Sequence, residues 1–281
     1  MSIDRPALYV VGTPIGNLSD ISSRALSVLS QVDLVLCEDT RQTRKLLDSF
    51  SISTPRQALH EHNEQQVADT LVARALEENL AYALVSDAGM PLISDPGFRL
   101  VGAAIEQKLA LFSVPGASAL TAALSVAGLA SDRFRFEGFP PPKKQARLNY
   151  FAQLKFERST LIFYEAPHRI RDCIAAMREI FGNERQAVIA REITKRYESI
   201  YRGTLSELEA LVDSDADVSR GELVVLVAGT RLDPQDSEID RTIDALINEV
   251  DRKTATRLVC SLTGASRNQV YARIQQRLER D

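Results

Sequence analysis

The chain has 281 residues, 44% of them hydrophobic, and a formal net charge of −4. That length supports two ordinary domains with real cores. The acidic balance excludes a generic polyanion binder. Cys37, Cys173 and Cys260 are too far apart for a disulfide framework or a zinc spacing, which fits a reducing cytoplasm. His60, His62 and His168 form no His-Glu-x-x-His pair, so no metal is expected. Met1 to Pro6 is polar with both charge signs and does not read as a leader. No apolar run approaches the roughly 20 residues of a membrane span, so no membrane partner is expected.

Taken in chain order, the first expected strand is 7–11. It runs into Gly12-Thr13-Pro14-Ile15-Gly16-Asn17, a Gly/Pro loop, with a helix beginning near Ser19 or Asp20. A strand over 33–37 leads to Cys37-Glu38-Asp39-Thr40-Arg41. A helix over 66–78 and a buried strand over 80–85 follow. Then comes Ser86 to Gly97, twelve residues holding two each of Gly, Pro, Asp and Ser. That composition suits neither helix nor central strand and reads as a loop leaving a strand end. It serves either as a tight structural turn or as a ligand loop, since open α/β sheets bind small molecules outside strand carboxyl ends.

Further strand-then-loop units are 110–114 with Val114-Pro115-Gly116-Ala117-Ser118-Ala119, 160–164 with Tyr164-Glu165-Ala166-Pro167-His168-Arg169, and 187–191 with Ala190-Arg191-Glu192-Ile193-Thr194-Lys195. Five units in one style suggest a single cleft built from many strand ends. Alternating β and α runs argue for largely parallel sheets in two α/β halves, with 198–202 and 222–228 open to antiparallel pairing. The stretch Phe136 to Lys144, with three successive prolines, reads as a break in the pattern, and the junction between halves falls near 115–135. Helices over 239–250, 254–263 and 266–279 form a tail resembling a helix-turn-helix, with Ser266 as an N-cap. Arg252 to Arg280 holds seven Lys/Arg against one acidic residue. Such a run is either a solvated or dimerising appendage or a surface for phosphates.

The first loop is neither a dinucleotide fingerprint nor a P-loop, and Pro14 and Pro91 remove N–H donors that a phosphate cradle needs. The ligand is therefore expected to be uncharged or zwitterionic. Arg41, Arg44 and Lys45 follow one strand end. His168, Arg169 and Arg171 follow another, and Lys143, Lys144 and Arg147 flank the proline loop. Each cluster alone is an ordinary charged face, and together with the basic tail they make a phosphate-binding rim credible.

Tyr9 to Leu18, Cys37 to Leu47, Ser86 to Gly97, Val114 to Ala119, Tyr164 to Arg169 and Ala190 to Lys195 occur in the order of the tetrapyrrole methylase (class III S-adenosylmethionine methyltransferase) family, which the chain resembles from about Ala7 to Gly229. The likeness is to those members that modify ribosomal RNA. It implies two α/β domains, over 1–118 and 119–232, a helical extension over 233–281, and a cytoplasmic homodimer. It implies S-adenosylmethionine as cofactor and 2′-O-methylation of a cytidine ribose in the decoding region of 16S rRNA, on the RNA or the small ribosomal subunit. Carried over residue by residue, Ile15, Asp87, Ala88, Gly89, Met90, Ser118, Ala119, Tyr164, Arg191 and Glu222 become cofactor contacts. Arg41, Arg44, Lys45, Lys143, Lys144, His168 and Arg169 become RNA contacts. Glu38, Asp39, Glu165 and Lys195 are candidates for a base or alkoxide-stabilising role, each with an ion-pairing role as the plainer alternative. Methylation of a tetrapyrrole or a protein, or a non-enzymatic RNA-binding assembly factor, are the rival readings.

Overall fold

The computed structural model describes residues 2–230 and 234–278. The first half contains β1 (Ala7–Val11), α1 (Ser23–Leu29), β2 (Leu34–Cys37), α2 (Thr40–Ser49), β3 (Arg56–Ala58), α3 (Glu61–Glu77), β4 (Ala81–Val85), α4 (Phe98–Glu106) and β5 (Ala110–Val114). The strands form a parallel sheet in the order β3-β2-β4-β1-β5. Alternation along each strand feeds two cores. Tyr9, Val11, Val35 and Ala83 pack on α1, while Leu8, Leu36, Tyr82 and Leu84 pack on α3 and α4. Being covered on both faces, the inner strands read as continuous apolar runs, which is why they stand out in the sequence.

The second half contains α5 (Ala119–Ala127), β6 (Phe134–Gly138), α6 (Lys144–Leu154), β7 (Thr160–Glu165), α7 (Ile170–Phe181), β8 (Gln186–Arg191), β9 (Ser199–Thr204), α8 (Leu205–Ser214) and β10 (Leu223–Val227). Its sheet, β6-β7-β10-β8-β9, is mixed. Only β6 and β7 pair in parallel, and β10 runs antiparallel between β7 and β8. The expectation of largely parallel sheets therefore holds for the first half and fails for the second. The reason is connectivity: short links join β8 to β9, whereas a parallel crossover needs a dozen or more residues. Two strands escaped the sequence reading. β3 has three half-buried residues, and β6 is an edge strand with a register shift at Phe136–Gly138, so neither carries an apolar alternation.

Helix α5 lies across the second sheet, with Leu120, Ala123, Leu124 and Ala127 against Ile162, Val188, Ala190 and Val224. Ile15, from the first loop, joins the same cluster and ties the halves together. The tail is α9 (Pro234–Leu246), α10 (Arg252–Thr263) and α11 (Arg267–Leu278), closed over Ile239, Ile243, Val259, Val270 and Ile274. Gly264, in the left-handed region at φ 70°, ends α10, and the Ser266 hydroxyl accepts the Gln269 N–H as expected of a cap.

Candidate active site

Strand direction explains where the site forms. The carboxyl ends of β1, β2, β4 and β5 all leave one edge of a parallel sheet. In the second sheet, the register sets Leu223 opposite both Glu165 and Arg191. The start of β10 thus meets the ends of β7 and β8. Between these two rims lies a cavity of about 380 Å³, bordered by Ile15, the 87–90 and 93–95 segments, Ser118, Ala119, Phe139, the 164–167 segment, Ile193 and the 222–224 segment. Nine of the ten residues expected to contact a cofactor line it.

Arg191 is the exception. Side chains alternate along β8, so Ala190 faces α5 while Arg191 turns to the other side. Its guanidinium donates to the Arg220 and Tyr197 carbonyls, both at 2.9 Å. It clamps neighbouring loops rather than the cavity.

The loops are held by backbone contacts. Thr13 and Gly89 exchange N–H···O bonds of 2.9 and 3.2 Å, and the Thr13 hydroxyl donates to the Ser86 carbonyl. Gly12 presses so close to Gly116 that an added Cβ would lie 2.7 Å from the Gly116 backbone. Leu92 and Ser94 have φ of 70° and 68°, and Glu192 and Thr194 have 50° and 67°. Such residues cost on the order of 1–3 kcal/mol each and persist where the surroundings fix them. Both strained segments border the cavity. Beyond the main loop, the buried Glu64 carboxylate accepts the Arg99 and Leu100 N–H groups and caps α4, whose own N-cap, Gly97, has no side chain to do so.

Carboxylates gather at one end. Asp87 accepts the Asp39 N–H at 3.2 Å, and burial raises its pKa. Asp95 is pushed up to about 6, first by burial and then by the Glu38 and Asp87 charges, against a hydrogen bond from Ser86. Asp95 also lines the cavity, a site residue that the sequence does not single out within the Ser86–Gly97 loop. Its sequence signal was equal to that of Asp87, and only the folded path of the loop turns it inward. Burial also raises the Tyr164 phenol.

The four catalytic candidates meet different fates. Asp39 caps α2 and is held ionised by Arg41. Glu38 is exposed at the end of β2, near Asp95. The Glu165 carboxylate, fully buried, takes the Ala166 N–H at 2.8 Å and pairs with Arg169 at 3.2 Å. The Lys195 ammonium bridges Glu192 at 2.9 Å and Glu222 at 3.1 Å. Burial acts to lower its pKa, but the two carboxylates outweigh burial and the net shift is upward. Its stem lies on Gly16, where a Cβ would stand 2.4 Å from Lys195 Cγ. Lys195 is thus a clasp between the halves.

Of the expected RNA contacts, Arg41, Arg44, Lys45, Lys143, Lys144 and His168 are exposed. Arg41 and Arg44 form exposed pairs with Asp39 and Asp48, weak enough for a phosphate to replace the carboxylate. Arg169 turns inward to Glu165 and the Pro140 carbonyl, and Arg147 is 2% exposed. The tail is less basic than the Arg252–Arg280 stretch suggests. Arg273 pairs with Asp236 and Asp240, and Arg277 with Asp240 and Asp244. Residues 234–278 hold seven Lys/Arg against six Asp/Glu. Arg280 lies outside the described residues. Among the described residues, no three His, Cys, Asp or Glu stand together as metal ligands, and no helix is long and apolar enough to cross a membrane.

The cavity fits the expected cofactor. It offers apolar walls (Ile15, Met90, Ile193, Val224), carboxylates for an amine or ribose hydroxyls, and the uncapped start of α5 at Ser118. Fold and cavity together define an S-adenosylmethionine-dependent methyltransferase. The family model of the Tetrapyrrole (Corrin/Porphyrin) Methylases matches residues 7–209. A curated ribosomal RNA small subunit methyltransferase I of Pseudomonas aeruginosa is 48% identical, covering 96% of this chain and 97% of its own. The protein of the same name from Escherichia coli O157:H7 is 45% identical, covering 94% and 93%. Among solved structures, diphthine synthase superposes with a TM-score of 0.59 at 17% identity, covering 79% of this chain and 90% of its own, and the methyltransferase CobJ with 0.58 at 17%, covering 81% and 97%. These last two show the fold. The chain belongs to the tetrapyrrole methylase family, and within it to the group of ribosomal RNA small subunit methyltransferase I.

Proposed function

We propose that this enzyme methylates the 2′-hydroxyl of a cytidine ribose in the decoding region of 16S rRNA, with the RNA or the small ribosomal subunit as partner. The observation that carries the reading is the meeting of nine expected cofactor residues, from both halves, around one cavity, with exposed cations on the segments that follow β2 and β7 and open α6. The ribosomal name of the 45–48% identical relatives favours RNA over a tetrapyrrole or a protein. The choice of ribose oxygen and cytidine rests on the motif resemblance.

S-adenosylmethionine, when bound, supplies a methyl group made electrophilic by the adjoining positive sulfur. The protein's part is placement and proton handling. Asp87, Ser118, Ala119 and Glu222 are placed to orient the cofactor. Orientation of both reactants can supply about 7–11 kcal/mol of barrier lowering. A ribose hydroxyl is a weak nucleophile and gains from a base. Glu165, Asp39 and Lys195 are already committed to Arg169, Arg41 and two glutamates. Glu38 does not line the cavity, whereas Asp95 does, and burial makes Asp95 more basic than an exposed aspartate, so Asp95 is the carboxylate assigned to take the hydroxyl proton.

The same reading divides the chain at 1–118, 119–232 and 233–281, supported by the packing of α5 on the second sheet, and makes the protein a cytoplasmic homodimer, which sedimentation tests. The decisive experiment compares particles carrying cytidine or 2′-deoxycytidine at the target. Both should bind, and only the first should accept label, recovered as an alkali-resistant dinucleotide. Label on a base, or transfer to the deoxy substrate, would overturn the assignment.

A further inference from the structure

Phe139 lines the cavity yet is 56% exposed. A single exposed phenylalanine is ordinary, so exposure alone decides nothing. The ring, however, is fixed. It meets Tyr164 edge to face, with centroids 5.7 Å apart and planes at 63°, and Phe136 meets the same tyrosine at 4.8 Å. The backbone beneath it is fixed as well. Pro140, Pro141 and Pro142 restrict the chain. Arg169 donates to the Pro140 carbonyl, and the buried Arg147 donates to that of Pro142 at 3.4 Å. Burying arginine is costly unless it is well satisfied, so two inward-turned guanidinium groups on one surface loop mark its shape as something the fold maintains. Cations lie close to Phe139 along the chain and on the neighbouring loop. Lys143 and Lys144 follow the prolines, and His168 stands on the loop after β7; all three are exposed. The arrangement is a fixed aromatic ring on the wall of a methyl-transfer cavity, with exposed cations on its own loop and on the loop after β7.

We infer that Phe139 is the platform on which the base of the target nucleotide stacks once it has left its RNA neighbours. This rests on the ribose-methylation reading above. A ring standing at the cavity mouth can take a base only from a nucleotide that is single-stranded or turned out of its stack, the form in which bases are stacked on aromatic side chains. A base on the rim sets its sugar at the mouth, with the flanking phosphates toward Lys143 and Lys144. Aromatic faces hold unpaired bases in this way, with little sequence preference. The competing occupant is the adenine of the cofactor, and the two differ in which affinity the ring controls.

The test uses the full chain with Phe139→Ala, Phe139→Leu and Phe139→Trp, assayed on small ribosomal subunits lacking the modification. S-adenosylmethionine affinity is measured separately by calorimetry. Phe139→Ala and Phe139→Leu should each lower kcat/KM for the particle on the order of 10- to 100-fold, the size of one lost base stack. Phe139→Trp should restore it to within about threefold, and cofactor Kd should stay within about twofold throughout. Full activity in Phe139→Leu would overturn the inference, because leucine keeps the apolar bulk without the flat face. A parallel loss of cofactor affinity would overturn it in favour of adenine. A wild-type protein that transfers no methyl group to particle RNA would overturn the ribose-methylation reading together with this one, whereas an active wild type with indifferent Phe139 variants would overturn this one alone.

Discussion

Replacing Gly12 with alanine is expected to part the two loops that shape the cofactor cavity. The new Cβ would stand 2.6 Å from Met90 Sδ and 2.7 Å from both the N and the Cα of Gly116. Ordinary carbon contacts are about 3.5–4.0 Å, so roughly 1 Å of separation is required. The methionine tip can swing aside, but the Gly116 backbone cannot, because it precedes Ser118 and Ala119 at the start of α5. Overpacking of this kind costs about 1–3 kcal/mol, which lowers Tm by several degrees in a chain of this size. The displaced segments carry Met90, Ser118 and Ala119, all on the cavity wall. Cofactor Kd should therefore rise on the order of tenfold, equivalent to about 1.4 kcal/mol. The assay is thermal unfolding together with calorimetry of S-adenosylmethionine binding, with and without EDTA. Gly102→Ala is the matched control. It sits in α4 with nothing within 4 Å of its Cβ position, and should be neutral or stabilising by up to about 1 kcal/mol. If Gly12→Ala matches Gly102→Ala in both Tm and Kd, the reasoning from loop contact is wrong.

Asp95 gives a pH signature. Its folded-state pKa of about 6 exceeds the ordinary 3.8, so the folded protein holds that proton more tightly than the unfolded chain. The carboxyl then costs nothing below about pH 4, and its penalty grows as pH rises to about 6. Asp95→Asn should match wild type in Tm near pH 4 and exceed it at pH 8, while losing methyl transfer; a Tm difference independent of pH would refute the burial argument. Lys195→Ala should cut turnover more than cofactor affinity, because it opens the clasp between Gly16 and the two glutamates; equal losses in kcat and Kd would make Lys195 a cofactor ligand instead. Changing Arg252, Lys253, Arg257 and Arg267 together to glutamine should spare cofactor binding and reduce the salt slope of RNA binding by about three at most. These four are exposed, whereas Arg273 and Arg277 are already paired within the tail. An unchanged slope would remove the tail from the RNA interface.

The sequence alone determined the elements whose burial is local and continuous. The inner strands β1, β2, β4, β7, β8 and β10 are buried as apolar runs, and the edge strand β5, though largely exposed, keeps an apolar sequence; α7 repeats its apolar residues every third or fourth position. The ligand loops were legible for the same local reason: Gly, Pro, Asp and Ser together suit no regular element. What the sequence left open depended on contacts between distant segments. Edge strands β3 and β6 bury too little to leave a pattern. Arg191 and Tyr164 looked equivalent as strand-end residues, and only strand alternation within the assembled sheet sends one away from the cavity and the other into it. Arg147 and Arg169 read as surface cations, yet they face inward because Glu165 and the proline-loop carbonyls await them. From Arg252 onward the sequence of the tail is strongly basic, yet folding α9 against α11 brings Asp236, Asp240 and Asp244 to Arg273 and Arg277. Composition fixes how many charges a segment carries, whereas which of them still face solvent is settled by tertiary packing, since pairing acts over a few ångströms of space regardless of separation along the chain.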